Sequence, residues 1–252
     1  MQDALIYSDW LTKKQKGLKS LVVLIDPDKA DESHLKTLCA KANENKIDYF
    51  FVGGSLLTTN KMDNVIRYLK VNSDIPVIIF PGNTMQVNLK ADGILLLSLI
   101  SGRNADLLIG KQVEVAPLLK NSALEVISTG YMLIDSGKPT SVSYMSNTQP
   151  IPRDKPEIAL STVWAGQMLG LKCNYLEAGS GALHTVPTEM VSLLSQKTDA
   201  PLIVGGGIRD LETARVILDA GADIIVIGTK IESNKAFIDD LSMIIHKKKL
   251  SV

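Results

Sequence analysis

The side chains with chemical potential in this sequence are carboxylates, hydroxyls and glycine-flanked backbone, with few thiols or imidazoles. Asp26 stands in Leu24-Ile25-Asp26-Pro27-Asp28-Lys29, at the end of a β-branched run. A carboxylate there can hold Mg2+, which takes one or two protein oxygens and fills its shell with water and substrate phosphates. A turn or helix-cap aspartate is the other reading, and it suits Asp28 better. Ser55 follows Gly53-Gly54, a spacing that a metal-side hydroxyl and an ordinary turn serine fit equally. Tyr175 and Glu177 are two residues apart in a third such run. Residues i and i+2 of a strand share a face, so both can point into one site. There Glu177 could accept a hydrogen bond from a substrate hydroxyl or take its proton; a structural ion pair is the alternative.

Three glycine segments follow late in the chain: Ala178-Gly179-Ser180-Gly181, Gly205-Gly206-Gly207-Ile208 and Gly228-Thr229. Glycine lets backbone N–H groups approach an anion closely, and a following helix start favours negative charge. One such segment could be a tight turn; three at adjacent strand ends point to a bound phosphate. The histidines add little. His34 and His246 read as surface residues, and His184, near the first glycine segment, lacks an acid–base partner. Cys39 and Cys173 have no metal-ligand spacing and read as buried small residues.

These positions need a scaffold that brings strand ends together. Short apolar runs occur at Leu21–Asp26, Tyr49–Gly53, Pro76–Phe80, Gly93–Ser98, Leu124–Ser128, Asn174–Ala178, Leu202–Gly205 and Asp223–Ile227. Most are apolar at consecutive positions, the mark of strands buried on both faces in a parallel sheet. Segments with helical spacing lie between them: Glu32–Asn43, Lys61–Val71, Pro156–Leu169 and Leu211–Ala220, the last with Asp210 as N-cap and Gly221 as C′ glycine. Eight strands alternating with helices over this length predict an α/β fold, a single (β/α)8 TIM barrel, with active-site residues just after the strands. A doubly wound sheet competes, but it usually carries an early glycine-rich dinucleotide turn. Pro81 to Asp92 is too short for a full helix, so the third barrel helix should be short or missing. Tyr131 to Asp154 should be a long loop acting as a lid or substrate wall. No domain boundary is visible, and residues 1–252 read as one domain.

Composition narrows the function. The 252 residues carry 27 Lys+Arg against 27 Asp+Glu, are 45% hydrophobic and contain 2 Cys. Zero net charge argues against a nucleic-acid-binding role, which phosphate neutralisation drives. Two cysteines build no disulfide framework, so a reducing compartment is expected. The first 19 residues carry Asp3 and Asp9 and no apolar block, and Gly93–Ile100 is far shorter than the ~20 residues of a membrane helix. A cytoplasmic protein with no transmembrane segment is expected. Lys247-Lys248-Lys249 reads as a solvated helix end complementing the macrodipole.

The ordered set Leu24–Lys29, Val52-Gly53-Gly54-Ser55, Tyr175–Gly181 followed by Ala182, Val204–Arg209 and Val226–Thr229 resembles the geranylgeranylglyceryl phosphate synthase family, which includes the bacterial heptaprenylglyceryl phosphate synthases. The likeness spans Leu21 to Thr229. The Gly205–Arg209 and Gly228-Thr229 pieces are generic to phosphate-binding barrels; the Leu24–Lys29 and Tyr175–Ala182 runs are more specific and look closer to the archaeal-type enzymes. The resemblance implies transfer of a prenyl chain from a prenyl diphosphate to the sn-3 hydroxyl of sn-glycerol-1-phosphate, with release of pyrophosphate. It implies Mg2+ at Asp26 and Ser55. It places glycerol phosphate on Tyr175, Leu176, Glu177, Ala178, Gly179, Ser180, Gly181, Gly206, Gly207, Gly228 and Thr229. A homo-oligomer, dimer or hexamer, is also implied, with Trp164 and Met168 as interface candidates or plain core. The prenyl tail needs an apolar groove, expected along Ile79, Phe80, Leu95, Leu97 and Leu99. A sugar-phosphate isomerase and a non-catalytic phospholigand-binding barrel are the rival readings.

Overall fold

The computed structural model of the chain describes residues 5–247. Lys248 and Lys249, and the side chains of His246 and Lys247, lie outside that description. In chain order the elements are α1 (Leu5–Gln15), β1 (Ser20–Ile25), α2 (Glu32–Glu44), β2 (Tyr49–Val52), α3 (Met62–Asn72), β3 (Val77–Ile79) and β4 (Gly93–Leu99). They continue with α4 (Lys111–Lys120), β5 (Glu125–Leu133), α5 (Ser141–Ser146), α6 (Pro156–Met168), β6 (Cys173–Glu177), α7 (Thr188–Lys197) and β7 (Leu202–Gly205). The last are α8 (Leu211–Asp219), β8 (Ile224–Ile227), α9 (Thr229–Ser233) and α10 (Phe237–Lys247). The eight strands form a closed parallel barrel in sequence order, and β8 pairs back onto β1 with Ile224 opposite Ser20. No described helix is long and apolar enough to cross a membrane.

Burial on both faces explains the consecutive apolar residues. Val22, Phe51, Ile78, Leu95, Cys173 and Ile203 fill the barrel axis. Their strand neighbours, such as Val23, Phe50, Ile79, Leu176 and Val204, pack outward against the helices. The helices start where their caps stand: Asp31 accepts the His34 N–H and Asp210 the Thr213 N–H, each at 2.7 Å. Gly221 follows α8 with φ +116°, a left-handed conformation that glycine adopts readily.

Three features go beyond or against the reading of the sequence. First, α1 closes the N-terminal end of the barrel. Ile6 and Trp10 join the axial cluster, and the Glu125 carboxylate at the start of β5 accepts the Ile6 and Tyr7 N–H groups at 2.7 and 2.8 Å. A carboxylate on the free amides of a helix start is favourable in both hydrogen bonding and dipole terms. Second, Phe80 to Asp92 between β3 and β4 forms turns and no helix, as its length predicts. The buried Gln86 side chain does the fixing instead: its Oε1 accepts from Gly82 N at 3.1 Å and its Nε2 donates to Gly54 O at 2.8 Å. Third, β5 does not end at Ser128. It pairs with β4 through Leu99 opposite Tyr131 and with β6 through Leu133 opposite Glu177. Thr129 and Gly130 are therefore inside the strand, not at the mouth.

Candidate active site

A cavity of about 980 Å3 opens at the C-terminal ends of the strands, near the top of the ~300–1,000 Å3 range of ligand pockets. Its lining changes character around the barrel. On the β6–β8 side it is glycine and hydroxyl: Gly179, Ser180, Gly181, Gly206, Gly207, Gly228 and Thr229. On the β3–β5 side it is apolar: Phe80, Leu95, Leu97 and Leu99 with Leu107 and Val142. The apolar part also reaches Ile94 and Leu96, on the other face of β4, together with Val87 and Val115. The β3–β4 connection, which forms turns and no helix, leaves this face of β4 to Val87 and to Val115 of α4. Asp26 and Ser55, from the ends of β1 and β2, and Glu177, from the end of β6, stand at the two borders between these halves.

Glu177 is buried, 7% exposed, on the axial face with Tyr175, as the i, i+2 spacing requires. Among the described residues no ion pair accompanies it. Its Oε1 accepts the Gly179 N–H at 2.6 Å, and the hydroxyls of Tyr131 and Tyr175 approach the carboxylate. Burial pushes its pKa up to about 7, against the opposing pull of the Gly179 N–H and the two hydroxyls. The Tyr175 hydroxyl is itself buried and closes no well-formed hydrogen bond among the described residues. Tyr175 stacks on Phe80 with ring centroids 5.1 Å apart, and Tyr131 meets both rings edge-on at 5.3 and 5.8 Å. Tyr131 is thus part of the site, unforeseen because the sequence pattern ends β5 at Ser128, five residues before its end at Leu133.

The glycine loops interlock. Gly179, Gly181, Gly206 and Gly207 all have φ between +72° and +97°. A methyl on Gly206 would lie 2.6 Å from Glu177 Oε1, and one on Gly205 would lie 2.3 Å from Tyr175 Oη. These glycines make room for the site's own side chains as well as for a ligand. Ser180 Oγ and Thr229 Oγ1 lie 3.3 Å apart, joining the β6 and β8 loops. Arg209 lines the same end and donates to Ala182 O and Gly181 O, which holds the β6 loop. The expected helix-dipole contribution is weaker than the sequence suggests: Asp210 already caps α8, and α9 spans only Thr229–Ser233.

The expected set does not converge as side chains in full. Leu176 and Ala178 pack in the outer core, because strand alternation turns them away from the axis, so at the site they offer backbone alone. Ile79 also packs outward and is no part of the groove, whereas Phe80, Leu95, Leu97 and Leu99 are. His184 is exposed and outside the cavity lining. Cys39 and Cys173 are buried thiols. The long β5–β6 connection does form a wall, through Ser141, Val142, Met145, Ser146 and Asn147 of and beside α5. It rests on the β6 loop, where a methyl on Gly179 would lie 2.5 Å from Thr140 Cγ2.

Among the described residues no group of three or more His, Cys, Asp and Glu gathers, which disfavours a structural zinc site. A hard cation asks for less. Asp26 offers a partly exposed carboxylate in the cavity, and a methyl on Gly54 would lie 3.7 Å from its Oδ1, so the turn carrying Ser55 is adjacent. One carboxylate, a neighbouring hydroxyl and open space for phosphate oxygens fit Mg2+. Asp28 is spoken for: it accepts N–H and hydroxyl bonds from Thr58 and Thr59. These bonds, led by the Thr58 N–H, hold its pKa down at about 2.

Comparison with known proteins shows the family and the fold. The PcrB family matches residues 9–247. A geranylgeranylglyceryl phosphate synthase of Chitinophaga pinensis is 51% identical over 241 residues, 96% of each chain. One from Korarchaeum cryptofilum is 42% identical over 85% of this chain and 88% of its own. The crystal structure of (S)-3-O-geranylgeranylglyceryl phosphate synthase from Thermoplasma acidophilum, in complex with substrate sn-glycerol-1-phosphate, superposes with a TM-score of 0.89 at 34% identity, covering 98% of both chains.

Proposed function

The chain belongs to the PcrB family, and from that premise we propose that it is a Mg2+-dependent prenyltransferase. It joins a prenyl diphosphate, geranylgeranyl diphosphate in the first instance, to the sn-3 hydroxyl of sn-glycerol-1-phosphate and releases pyrophosphate, an early step of ether-lipid synthesis. The observation that carries this reading is the division of one cavity into a glycine and hydroxyl half and an apolar half, with carboxylates at both borders. A small phosphorylated acceptor suits the first half and a long hydrocarbon tail the second.

The residues divide the work accordingly. Gly179, Gly181, Gly206, Gly207 and Gly228 present backbone to the acceptor phosphate, with the Ser180 and Thr229 hydroxyls beside them. Holding the acceptor so that its hydroxyl meets the allylic carbon is catalysis by positioning. Glu177 accepts that hydroxyl's proton as the new C–O bond forms; the bond from the allylic carbon to the diphosphate oxygen breaks, and pyrophosphate leaves with the electron pair. A carboxylate with a pKa near 7 is well poised for such proton transfer. Tyr131 and Tyr175 steady its charge. Asp26 and Ser55 would hold Mg2+, which when bound offsets the charge building on the leaving pyrophosphate. Phe80, Leu95, Leu97 and Leu99 exclude water along the tail. The homo-oligomer, dimer or hexamer, would bury the exposed Trp164 and Met168 of α6.

The test is a turnover assay with Mg2+, geranylgeranyl diphosphate and labelled sn-glycerol-1-phosphate, with the sn-glycerol-3-phosphate enantiomer and EDTA as controls. Label should enter the organic phase only with Mg2+ and the sn-1 enantiomer. No transfer from prenyl donors of any length, by folded protein that binds glycerol phosphate, would replace this reading with an isomerase or a binding barrel.

A further inference from the structure

Four cationic side chains line the cavity among the described residues: Lys29, Lys111, Arg209 and Lys230. Three have partners away from the metal border. Lys111 lies 2.8 Å from Glu114, Arg209 holds carbonyls of the β6 loop, and Lys230 lies over the Phe237 ring at 5.8 Å. Lys29 differs. Its Nζ is 3.3 Å from Asp26 Oδ2 and 3.2 Å from Glu232 Oε2. Asp26 follows β1 and Glu232 belongs to α9, just after β8, and these two strands are barrel neighbours.

This geometry presents two electrostatic problems that one movement resolves. An ammonium and a divalent cation repel each other on a shared carboxylate, so Lys29 and Mg2+ compete for Asp26. Glu232, meanwhile, lines the half of the cavity where phosphates would bind, and an unneutralised carboxylate there would repel them. A lysine ammonium has three donors on a flexible stem. With Mg2+ on Asp26, it can stay on Glu232, neutralise it and turn another donor to a phosphate oxygen. A prenyl diphosphate carries more negative charge than one Mg2+ offsets, and its phosphates are expected around the same cation.

We infer that Lys29 is a diphosphate-binding residue, resting on Asp26 before Mg2+ and the prenyl diphosphate bind and then, anchored by Glu232, contacting the leaving pyrophosphate. The inference depends on the transferase reading above and adds a substrate contact to it. Lys29 is half exposed, so its replacement should leave the fold intact, and Lys29→Arg, which keeps charge and reach, guards against a merely structural effect.

The experiment compares wild type, Lys29→Met and Lys29→Arg by calorimetric titration with inorganic pyrophosphate plus Mg2+, with sn-glycerol-1-phosphate alone, and with Mn2+ alone. The methionine variant should bind Mg2+-pyrophosphate at least tenfold more weakly. The arginine variant should recover most of that loss. Affinity for sn-glycerol-1-phosphate should stay within threefold, and Mn2+ should bind as well or better once the competing ammonium is gone. Unchanged pyrophosphate affinity in Lys29→Met would overturn the inference and leave Lys29 a counter-ion of Asp26. An equal loss for sn-glycerol-1-phosphate would overturn it in favour of an acceptor contact. If wild type binds Mg2+-pyrophosphate and transfers prenyl chains while these variants fail to separate, the inference alone falls. If wild type does neither, the transferase reading falls and takes the inference with it.

Discussion

A methyl group at Gly206 would stand 2.6 Å from Glu177 Oε1, so the bare backbone of the β7 loop is what lets the buried carboxylate occupy its place. The two residues are bound to each other sterically, although one is chosen for chemistry and the other for the lack of a side chain. Gly206 also has φ +85°, where an L side chain is strained.

Gly206→Ala should therefore damage both the site and the fold. We expect a stability loss of about 1–3 kcal/mol from the left-handed backbone, together with a loss of sn-glycerol-1-phosphate binding of at least a hundredfold. Chemical denaturation and calorimetric titration on the same preparation measure the two effects. Wild-type affinity in the alanine variant would show that the loop has room the geometry denies.

Glu177 should make both activity and stability depend on pH. Its folded pKa of about 7 lies above the ordinary 4.5. Below the ordinary value the group is protonated in folded and unfolded chains alike and costs nothing. As pH rises towards 7, the unfolded chain loses this proton and the folded one keeps it, so stability falls, and by pH 8 the loss is fully developed. At about 1.4 kcal/mol per pH unit this is of order 3 kcal/mol. Glu177→Gln lacks that titration, so its stability relative to wild type should improve between pH 4.5 and pH 8. Transfer by wild type should rise over the same region with a midpoint near 7, and the glutamine variant should be slower by about 10²–10⁴ and flat. Parallel stability profiles for the two proteins would remove the burial argument.

Metal removal should separate donor chemistry from acceptor binding. EDTA, or Asp26→Asn, should abolish prenyl transfer. Either should leave sn-glycerol-1-phosphate affinity within about threefold, because the glycine loops of β6, β7 and β8 hold that phosphate without Asp26. A joint loss of both in Asp26→Asn would mean that the acceptor, too, is held through Asp26.

Trp10→Ala tests the other end of the barrel. Trp10 is 1% exposed and packs edge-on against Tyr49 at 5.8 Å. Truncating a fully buried tryptophan costs about 3–5 kcal/mol, so urea unfolding should shift by that amount. The affinity for sn-glycerol-1-phosphate in the remaining folded protein should not change, since the N-terminal end of a barrel carries stability and the C-terminal end carries the site.

Much of the fold was legible because its signals are local. Consecutive apolar residues at Leu21–Ile25 or Ile224–Ile227 point to burial on both faces. Asp210 caps α8 through a bond to Thr213, three residues away. The twelve residues from Pro81 to Asp92 cannot hold a full helix together with its connections. The glycine segments, Asp26, Tyr175 and Glu177 were legible as types at strand ends, and the barrel brings them to one cavity.

The sequence by itself thus determined the strand and helix alternation, a short or missing helix after β3 and the chemical vocabulary of the mouth. The tertiary structure decided what depends on partners far along the chain. Nothing near Thr129-Gly130 says that β5 continues, but pairing with β4 on one side and β6 on the other carries it to Leu133 and brings Tyr131 beside Glu177. Helix α1, polar over most of its sequence, buries Ile6 and Trp10 in the axial apolar cluster, and the Glu125 carboxylate that caps it is 118 residues from Tyr7. Gln86 fixes the Ser55 turn from 32 residues away. Glu177 owes its raised pKa to burial inside the closed barrel, against the opposing pull of the Gly179 N–H and the Tyr131 and Tyr175 hydroxyls. Propensity and pattern act over a few residues; burial, register and the field at a carboxylate are sums over neighbours that only the closed barrel assembles.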